Sequence, residues 1–415
     1  MLDLRQIRED PQPAREALAR RGVDSAVLDE ALELDERRRA LLPELEELRA
    51  RKNQASKRIG ELQRSAADAG EAIAETRELS AREKELDEEL RAVEERRTAV
   101  LRSLPNLPDP TAAPEDEVIR EVGEAGKSGR SHVELLGDEL DTERAARVSG
   151  SRFVYLKGSL VRLELALVQW ALSLLEGRGF MPVVPPVLVR EHALFGTGML
   201  PDTEQQLYRV PEDELYLVGT SEVPLASLHA GEILGGAELP LRYAGFSACF
   251  RREAGAAGKD TQGLFRVHQF DKVEMFTFVE PEQSRDEHER LLAIEEEILQ
   301  QLGIPYRVVN IAVDDLGASA AKKYDLEAWL PGQQRFRELT SCSNTTDFQA
   351  RRLDIRYRDE SGRPRHVHTL NGTAVTWRHL IALLENHQRD DGTVAVPEVL
   401  HRWGAPERLR VGEPS

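Results

Sequence analysis

CFRREAGAAGKDTQGLFRVHQFDKVEMF, residues 249–276, consists of two short alternating runs on either side of a glycine-rich insert. Arg251 and Glu253 stand at i and i+2, and so do Arg266, His268 and Phe270. Alternate side chains of a strand share one face. The stretch therefore reads as two strands joined by a loop over 254–263, presenting cations, a carboxylate and an aromatic ring to one cleft. Cations neutralise a polyphosphate, a carboxylate accepts from an amine, and a ring stacks on a base. That set suits a nucleotide better than a metal. An amphipathic hairpin with a charged outer face fits the same residues.

Working outward, LYLVGT (215–220), RYAGFSACFR (242–251), FRVHQF (265–270) and KVEMFTFV (272–279) read as strands, and FMPVVPPVLV (180–189) is β-rich and broken by prolines. HERLLAIEEEILQQLG (288–303) has the period of an amphipathic helix stopped by Gly303. Consecutive strands between helices favour an antiparallel sheet and an α+β domain. No G-x-G-x-x-G or P-loop is present, so a Rossmann or P-loop nucleotide site is not expected.

The first hundred residues differ. Leu34, Leu41, Leu48, Ala55 and Leu62 recur every seven, and a second run follows with Leu79, Leu86, Val93 and Val100. Such seams specify a coiled coil. SAADAG (65–70) interrupts them, so the reading is two helices in an antiparallel hairpin. A first helix from Val27 to Arg64 spans roughly 55 Å at about 1.5 Å per residue, too long for a compact core, and should project. Pro43 removes a backbone donor and should kink that helix near Ala40. LPNLPDPTAAP (104–114) cannot continue a helix and forms the linker. The expected division is a helical arm over 1–107 and a second domain over 108–415.

The chain carries a net charge of −18, yet the window from Arg49 to Gly60 holds no acid. Arg49, Arg51, Lys52, Lys57 and Arg58 fall inside it, so a polyanion would meet a local basic patch. A solvated helix face fits the same charges. Two cysteines, Cys249 and Cys342, make neither a disulfide framework nor a Cys-rich zinc pattern. The chain does not open like a signal peptide, and no apolar run approaches the roughly 20 residues that cross a bilayer. A cytoplasmic protein with no membrane association is expected.

The quoted stretch resembles motif 2 of a class II aminoacyl-tRNA synthetase, in the form seen in the seryl-tRNA synthetases of bacterial type. GTSEVPLASLHAGEIL (219–234), RELTSCSNTTDFQARRLDIRYR (337–358), TLNGT (369–373) and LLENHQRDDGTVAVPEVL (383–400) are similar to that family in the same order. So are MLDLRQIRED at the start, VSGSRFVYLKG (148–158) and the helical arm. The resemblance implies an antiparallel sheet flanked by helices, preceded by an antiparallel coiled-coil hairpin. It implies ATP-dependent attachment of L-serine to serine tRNA through a seryl-adenylate, and serylation of selenocysteine tRNA where that is present. A paralogue serving another acceptor, a non-catalytic RNA-binding scaffold and a sibling synthetase are the competing readings.

Site residues follow from the same resemblance. Arg251 matches the motif 2 arginine on the α-phosphate, and Arg378 the motif 3 arginine on the other side of the nucleotide. Both are expected to be catalytic. ATP would also be held by Arg252, Glu253, Val267, Phe270, Glu338, Leu339, Thr340 and Ser341. Glu253 would read the adenine amino group, Phe270 would stack on adenine, and Glu338 and Ser341 would bind Mg2+. Serine would meet Thr220, Ser221, Glu222, Glu274 and Thr373. The arm residues Arg49, Arg51, Lys52, Lys57 and Arg58 would bind the long variable arm of serine tRNA. No zinc is expected. EGRGFMPVVPPVLV (176–189) resembles motif 1, which implies a homodimer. The sequence departs from the family in three places, one of them Pro114-Glu115-Asp116-Glu117, where a glycine is common and to which no function attaches. NGTAVTWR (371–378) is one residue shorter than usual between Thr373 and Arg378, and Gln262 replaces an arginine in the loop that meets the tRNA acceptor end.

Overall fold

The structure is a computed structural model, which describes residues 1–201, 204–254 and 263–410. It divides into two units, Met1–Pro105 and Asn106–Ser415.

The first unit holds α1 (Leu4–Ile7), α2 (Gln12–Ala19), α3 (Ser25–Arg64) and α4 (Gly70–Ser103). Asp24 caps α3 by accepting from the Ala26 amide at 2.9 Å. Leu41, Leu45, Leu48 and Ala55 of α3 are buried against Leu79 and Leu86 of α4. Cross-helix ion pairs run Arg96–Glu30, Arg37–Glu89 and Arg82–Glu44, partners rising on one helix as they fall on the other. The hairpin is therefore antiparallel. α3 is continuous through Pro43. Pro43 is exposed while Leu41 and Leu45 on either side are buried, so packing on α4 holds the helix across one missing donor. Near the base, Asp35 is buried and receives Arg97 at 3.0 Å, Arg39 at 3.3 Å and Arg8 at 3.5 Å.

The second unit is built on an eight-stranded sheet. In chain order its strands are β1 (Glu117–Val122), β2 (Met181–Val183), β3 (Leu241–Phe250), β4 (Gln269–Val279), β5 (Tyr306–Asn310), β6 (Lys322–Leu330), β7 (Arg335–Asn344) and β8 (His368–Thr376). Their spatial order is β1-β5-β6-β7-β8-β4-β3-β2, and every pair is antiparallel except β2 with β3. The helices that matter for the site are α5 (His132–Leu136), α6 (Ser159–Glu176), α7 (Glu191–Thr197), α8 (Glu222–Ala226), α9 (Ser284–Gln301), α10 (Phe348–Leu353) and α11 (Trp377–Asn386).

Alternation along β4 separates two cores. Val273, Met275 and Val279 pack with apolar residues of α6, α9 and α11, whereas Phe276 and Phe278 pack with Leu225, Ala350 and Leu353 on the other face. That second face turns polar at Glu274 and Lys272, and a cavity opens there that Phe270 also lines. The motif 2 strands are shorter than expected. β3 ends at Phe250 and β4 begins at Gln269, so Arg251, Glu253, Arg266 and His268 lie outside the ladder. One further bond, from the Arg251 amide to the His268 carbonyl at 2.9 Å, continues the pairing. Then the Arg252 amide turns to Gln206 at 2.9 Å, and Glu253 adopts a φ of +49°.

Candidate active site

A cavity of about 190 Å³ gathers side chains from segments up to 179 residues apart, from Met199 to Arg378. Its floor is the polar run of β4, where Phe270, Lys272 and Glu274 share one face. Two irregularities bring neighbouring strands into line. Between β6 and β7 the register steps from Leu326↔Thr340 to Glu327↔Glu338, so Leu339 is an extra residue. In a regular strand Glu338 and Ser341 would point to opposite faces; with the bulge both line the cavity. Between β4 and β8 the register steps from Val273↔Val375 to Glu274↔Thr373, with Ala374 extra. Thr373 thereby stands opposite Glu274, and its hydroxyl donates to Oε2 at 3.3 Å. The shortened motif 3 segment keeps that contact. Gly372 beside it has no room for a β-carbon, because Glu295, Cys342 and Met275 close on that point.

One end of the cavity is cationic and aromatic. Arg251 lies over the Phe270 ring, 5.3 Å from its centroid, and its Nε donates to the Gly219 carbonyl at 3.2 Å. Arg378, in the first turn of α11, donates to the Glu338 carbonyl oxygen at 3.0 Å and lies 3.3 Å from its carboxylate. Burial raises the Glu338 carboxyl, but the charges of Arg378, Lys323 and Arg251 outweigh it and hold the group below the usual carboxylate range. Phe265 carries two guanidiniums, Arg337 at 3.7 Å and Arg378 at 4.7 Å from its ring centre. Glu253 is held by Arg266 at 2.9 Å. Val267, Leu339 and Thr340 also line the wall. Trp377 lines it too, its indole donating to the buried Glu164.

The other end is acidic. Glu222 is buried at the start of α8 and accepts from Gln349 at 2.8 Å and Asn371 at 3.1 Å. Burial first, and the nearby Glu274 charge second, push its carboxyl up to about 7. Lys272 bridges this end: Nζ donates to Thr220 Oγ1 at 2.7 Å and sits 2.5 Å from Glu274 Oε2. With both carboxylates ionised, Glu222, Glu274 and the Lys272 ammonium leave this end with one net negative charge. An amino acid's ammonium would supply the missing cation.

Most of the expected site is brought together: Thr220, Glu222, Arg251, Glu253, Val267, Phe270, Glu274, Glu338, Leu339, Thr340, Ser341, Thr373 and Arg378 all line the cavity. Three residues fall elsewhere. The Ser221 hydroxyl is fully buried against Ser247 at 2.7 Å. Arg252 is exposed beside the cavity. His268 packs on Phe153, 5.0 Å away, and bonds the Arg251 carbonyl at 2.8 Å. Gln262 lies outside the described residues. Lys272, Gln349 and Asn371 were not anticipated. Alternation with Phe270 and Glu274 would have found Lys272, whereas nothing local marks the other two.

In the arm, Arg49 reaches Glu83 at 3.1 Å and Asp87 at 2.9 Å, and Lys52 reaches Glu83 at 2.5 Å. Among the described residues, Arg51, Lys57 and Arg58 are exposed and form no ion pair.

Comparison with known proteins gives concordant results. Residues 1–108 match the family model for the seryl-tRNA synthetase N-terminal domain, and residues 206–387 match that for the tRNA synthetase class II core domain (G, H, P, S and T). The chain is 50% identical over 410 residues to a serine–tRNA ligase of Thermobifida fusca, covering 96% of each protein. It is also 50% identical over 413 residues to one of Rubrobacter xylanophilus, covering 96% of this chain and 97% of the relative. It is similar to the seryl-tRNA synthetase from Pyrococcus horikoshii solved with ATP, with a TM-score of 0.93 and 43% identity over 100% of both chains. It is likewise similar to the cytoplasmic serine–tRNA ligase of Naegleria fowleri solved with AMP, with a TM-score of 0.86 and 34% identity over 97% of this chain and 96% of that one.

Proposed function

The chain belongs to the seryl-tRNA synthetase family of class II synthetases, which joins L-serine to serine tRNA with ATP, and on that premise we propose how its own residues divide the work. The carrying observation is the polarity of one cavity. Arg251, Phe270, Glu253, Glu338 and Arg378 stand at one end, and Thr220, Glu222, Glu274 and Thr373 at the other.

Adenine stacks on Phe270, with Glu253 accepting from its amino group. Arg251 and Arg378 flank the α-phosphate. The serine ammonium is taken by Glu222 and Thr220, and the serine hydroxyl by Glu274 and Thr373. A site whose buried carboxylate awaits a hydroxyl rejects alanine, because the carboxylate is left unpaired. A serine carboxylate oxygen attacks the α-phosphorus. The bond from that phosphorus to the bridging oxygen breaks, and pyrophosphate leaves with the electron pair. The terminal ribose hydroxyl of the tRNA then attacks the carbonyl of the seryl-adenylate, and AMP departs. Arg251 and Arg378 hold fixed positive charge where negative charge develops, the largest contribution a protein makes to such a transfer.

Mg2+ fits this donor set. Among the described residues no cluster of three or more His, Cys, Asp or Glu could hold a metal alone, but Mg2+ binds through one or two protein oxygens plus phosphate oxygens and water. The ionised Glu338 and the Ser341 hydroxyl are such oxygens, and the ion would neutralise charge on the departing phosphates.

The exposed cations Arg51, Lys57 and Arg58 support the arm as the element that grips the long variable arm of serine tRNA, and of selenocysteine tRNA where that is present. A homodimer through the motif 1 region is supported by Leu165, Met181 and Val184, which are 51%, 62% and 81% exposed. No helix among the described residues is long and apolar enough to cross a membrane. Two unpaired buried thiols, Cys249 and Cys342, suit the reducing cytoplasm, where we place the enzyme. Pyrophosphate exchange with each of the twenty amino acids tests the assignment. Serine should dominate, and exchange driven best by another amino acid would reassign the acidic end.

A further inference from the structure

His132 and Glu385 form a buried pair outside the cavity, 3% and 1% exposed. The Glu385 carboxylate accepts three N–H donors. These are the His132 amide at 3.0 Å, His132 Nδ1 at 2.9 Å and the Gly332 amide at 2.9 Å. On the far side of the ring, the Leu264 amide donates to His132 Nε2 at 3.1 Å. This network assigns the tautomer: Nε2 accepts and therefore carries no proton, and Nδ1 donates to Glu385.

Three of the four segments it joins supply residues to the same end of the cavity. Leu264 is followed by Phe265, Arg266 and Val267, and all four line the wall. Glu385 lies in the last turn of α11, the helix that begins with Trp377 and Arg378. Gly332 lies in the turn between β6 and β7, and β7 carries Glu338. His132 opens α5. The chain can pass this close to the imidazole only because residue 263 is glycine. Its φ is +75°, and a β-carbon there would collide with the ring.

We propose that His132 is a positioning residue for ATP. Its Nε2 fixes the backbone where the chain re-enters the cavity wall, and Glu385 locks the imidazole in the tautomer that can do so. Phe265, and through its ring the guanidinium of Arg378, takes its place from that bond. Among the described residues, its hydrogen bonds do not reach Thr220, Glu222, Glu274 or Thr373 at the acidic end. The proposal rests on the reading that the cationic end takes ATP. That reading stands or falls on whether the unmodified enzyme performs serine-dependent pyrophosphate exchange.

Two substitutions separate the two sides of the ring. His132→Asn keeps a donor where Nδ1 stood, facing Glu385, and removes the acceptor for Leu264. His132→Gln places an oxygen near the position of Nε2 and gives up the donor to Glu385. Exchange kinetics and thermal melting are measured on both. His132→Asn should raise KM for ATP about tenfold, the scale expected when a buried donor loses its acceptor, with KM for serine unchanged. His132→Gln should stay within about threefold of wild type in KM for ATP while melting lower. An unchanged KM for ATP in His132→Asn overturns the proposal, as does an equal rise in KM for serine that tracks lost stability. Should His132→Asn fail to fold, His132→Gln decides alone. A KM for ATP raised as far as tenfold in that variant means the ring only supports the fold.

Discussion

Arg251 and Glu222 carry the sharpest expectations of single residues. Arg251→Ala removes a guanidinium from the cationic end and should lower serine-dependent exchange about a hundredfold, the scale of one contact to a charged transition state. Arg251→Lys should rescue it poorly, because lysine lacks the planar fork. Near-native exchange in the alanine variant would remove Arg251 from the chemistry. Glu222 predicts a pH dependence. Burial and the Glu274 charge push its carboxyl up to about 7, so in the empty cavity it is largely protonated below that pH. The serine ammonium binds the ionised form, which makes affinity rise with pH through about 7 and level off above it. Well below that point KM for serine should climb by up to about tenfold per pH unit, and Glu222→Gln should flatten the profile. A wild-type KM for serine that is constant from about pH 5.5 to about 8.5 would show that Glu222 does not bind the ammonium.

At the scale of elements, the hairpin shows what a charge run can and cannot reveal. Five cations in the window from Arg49 to Arg58 look equivalent in sequence, but Arg49 and Lys52 are turned onto acids of α4. Those two serve the packing of the hairpin, and their charges are already compensated. Arg51 and Arg58 are exposed seven residues apart and share one helix face. Arg51→Ala with Arg58→Ala should reduce the slope of log affinity against log salt for serine tRNA by about one to two. Filter binding across a salt series reads this directly. An unchanged slope would assign the stripe to solvent. Discrimination by base identity should change little, since phosphate contacts carry no sequence information.

At the scale of the whole molecule, the two units predict separable activities. Removing residues 38–93 and joining the stumps with a short turn leaves the buried Asp35–Arg97 contact and Leu28, Ala31 and Leu101 at the base. Exchange of pyrophosphate should survive, and charging of serine tRNA should be lost. Equal loss of both would refute this division. The dimer has its own test. Met181→Asp with Val184→Asp places charge on two of the most exposed apolar residues, and sedimentation should then show monomers where the parent enzyme sediments as a dimer. A parent enzyme that sediments as a monomer would refute the interface.

The antiparallel sheet and the hairpin were legible in the sequence because alternation and heptads are local signals, and most cavity residues were named through resemblance to the family's motifs. Leu41, Leu48 and Leu86 had to face a partner helix, and Phe270 had to share a face with Glu274. Tertiary structure decided the rest. Whether Glu338 and Ser341 point the same way depends on one extra residue in β7, and Thr373 meets Glu274 through another in β8. Ser221 sits inside a family motif yet turns to Ser247, while Thr220 and Glu222 on either side of it line the cavity. Gln349 and Asn371 reach Glu222 from 127 and 149 residues away, and His132 reaches Glu385 from 253. A local sequence pattern sets which face a side chain takes. Which distant group completes a buried carboxylate is set by how the sheet and helices close on one another, and no local pattern encodes that.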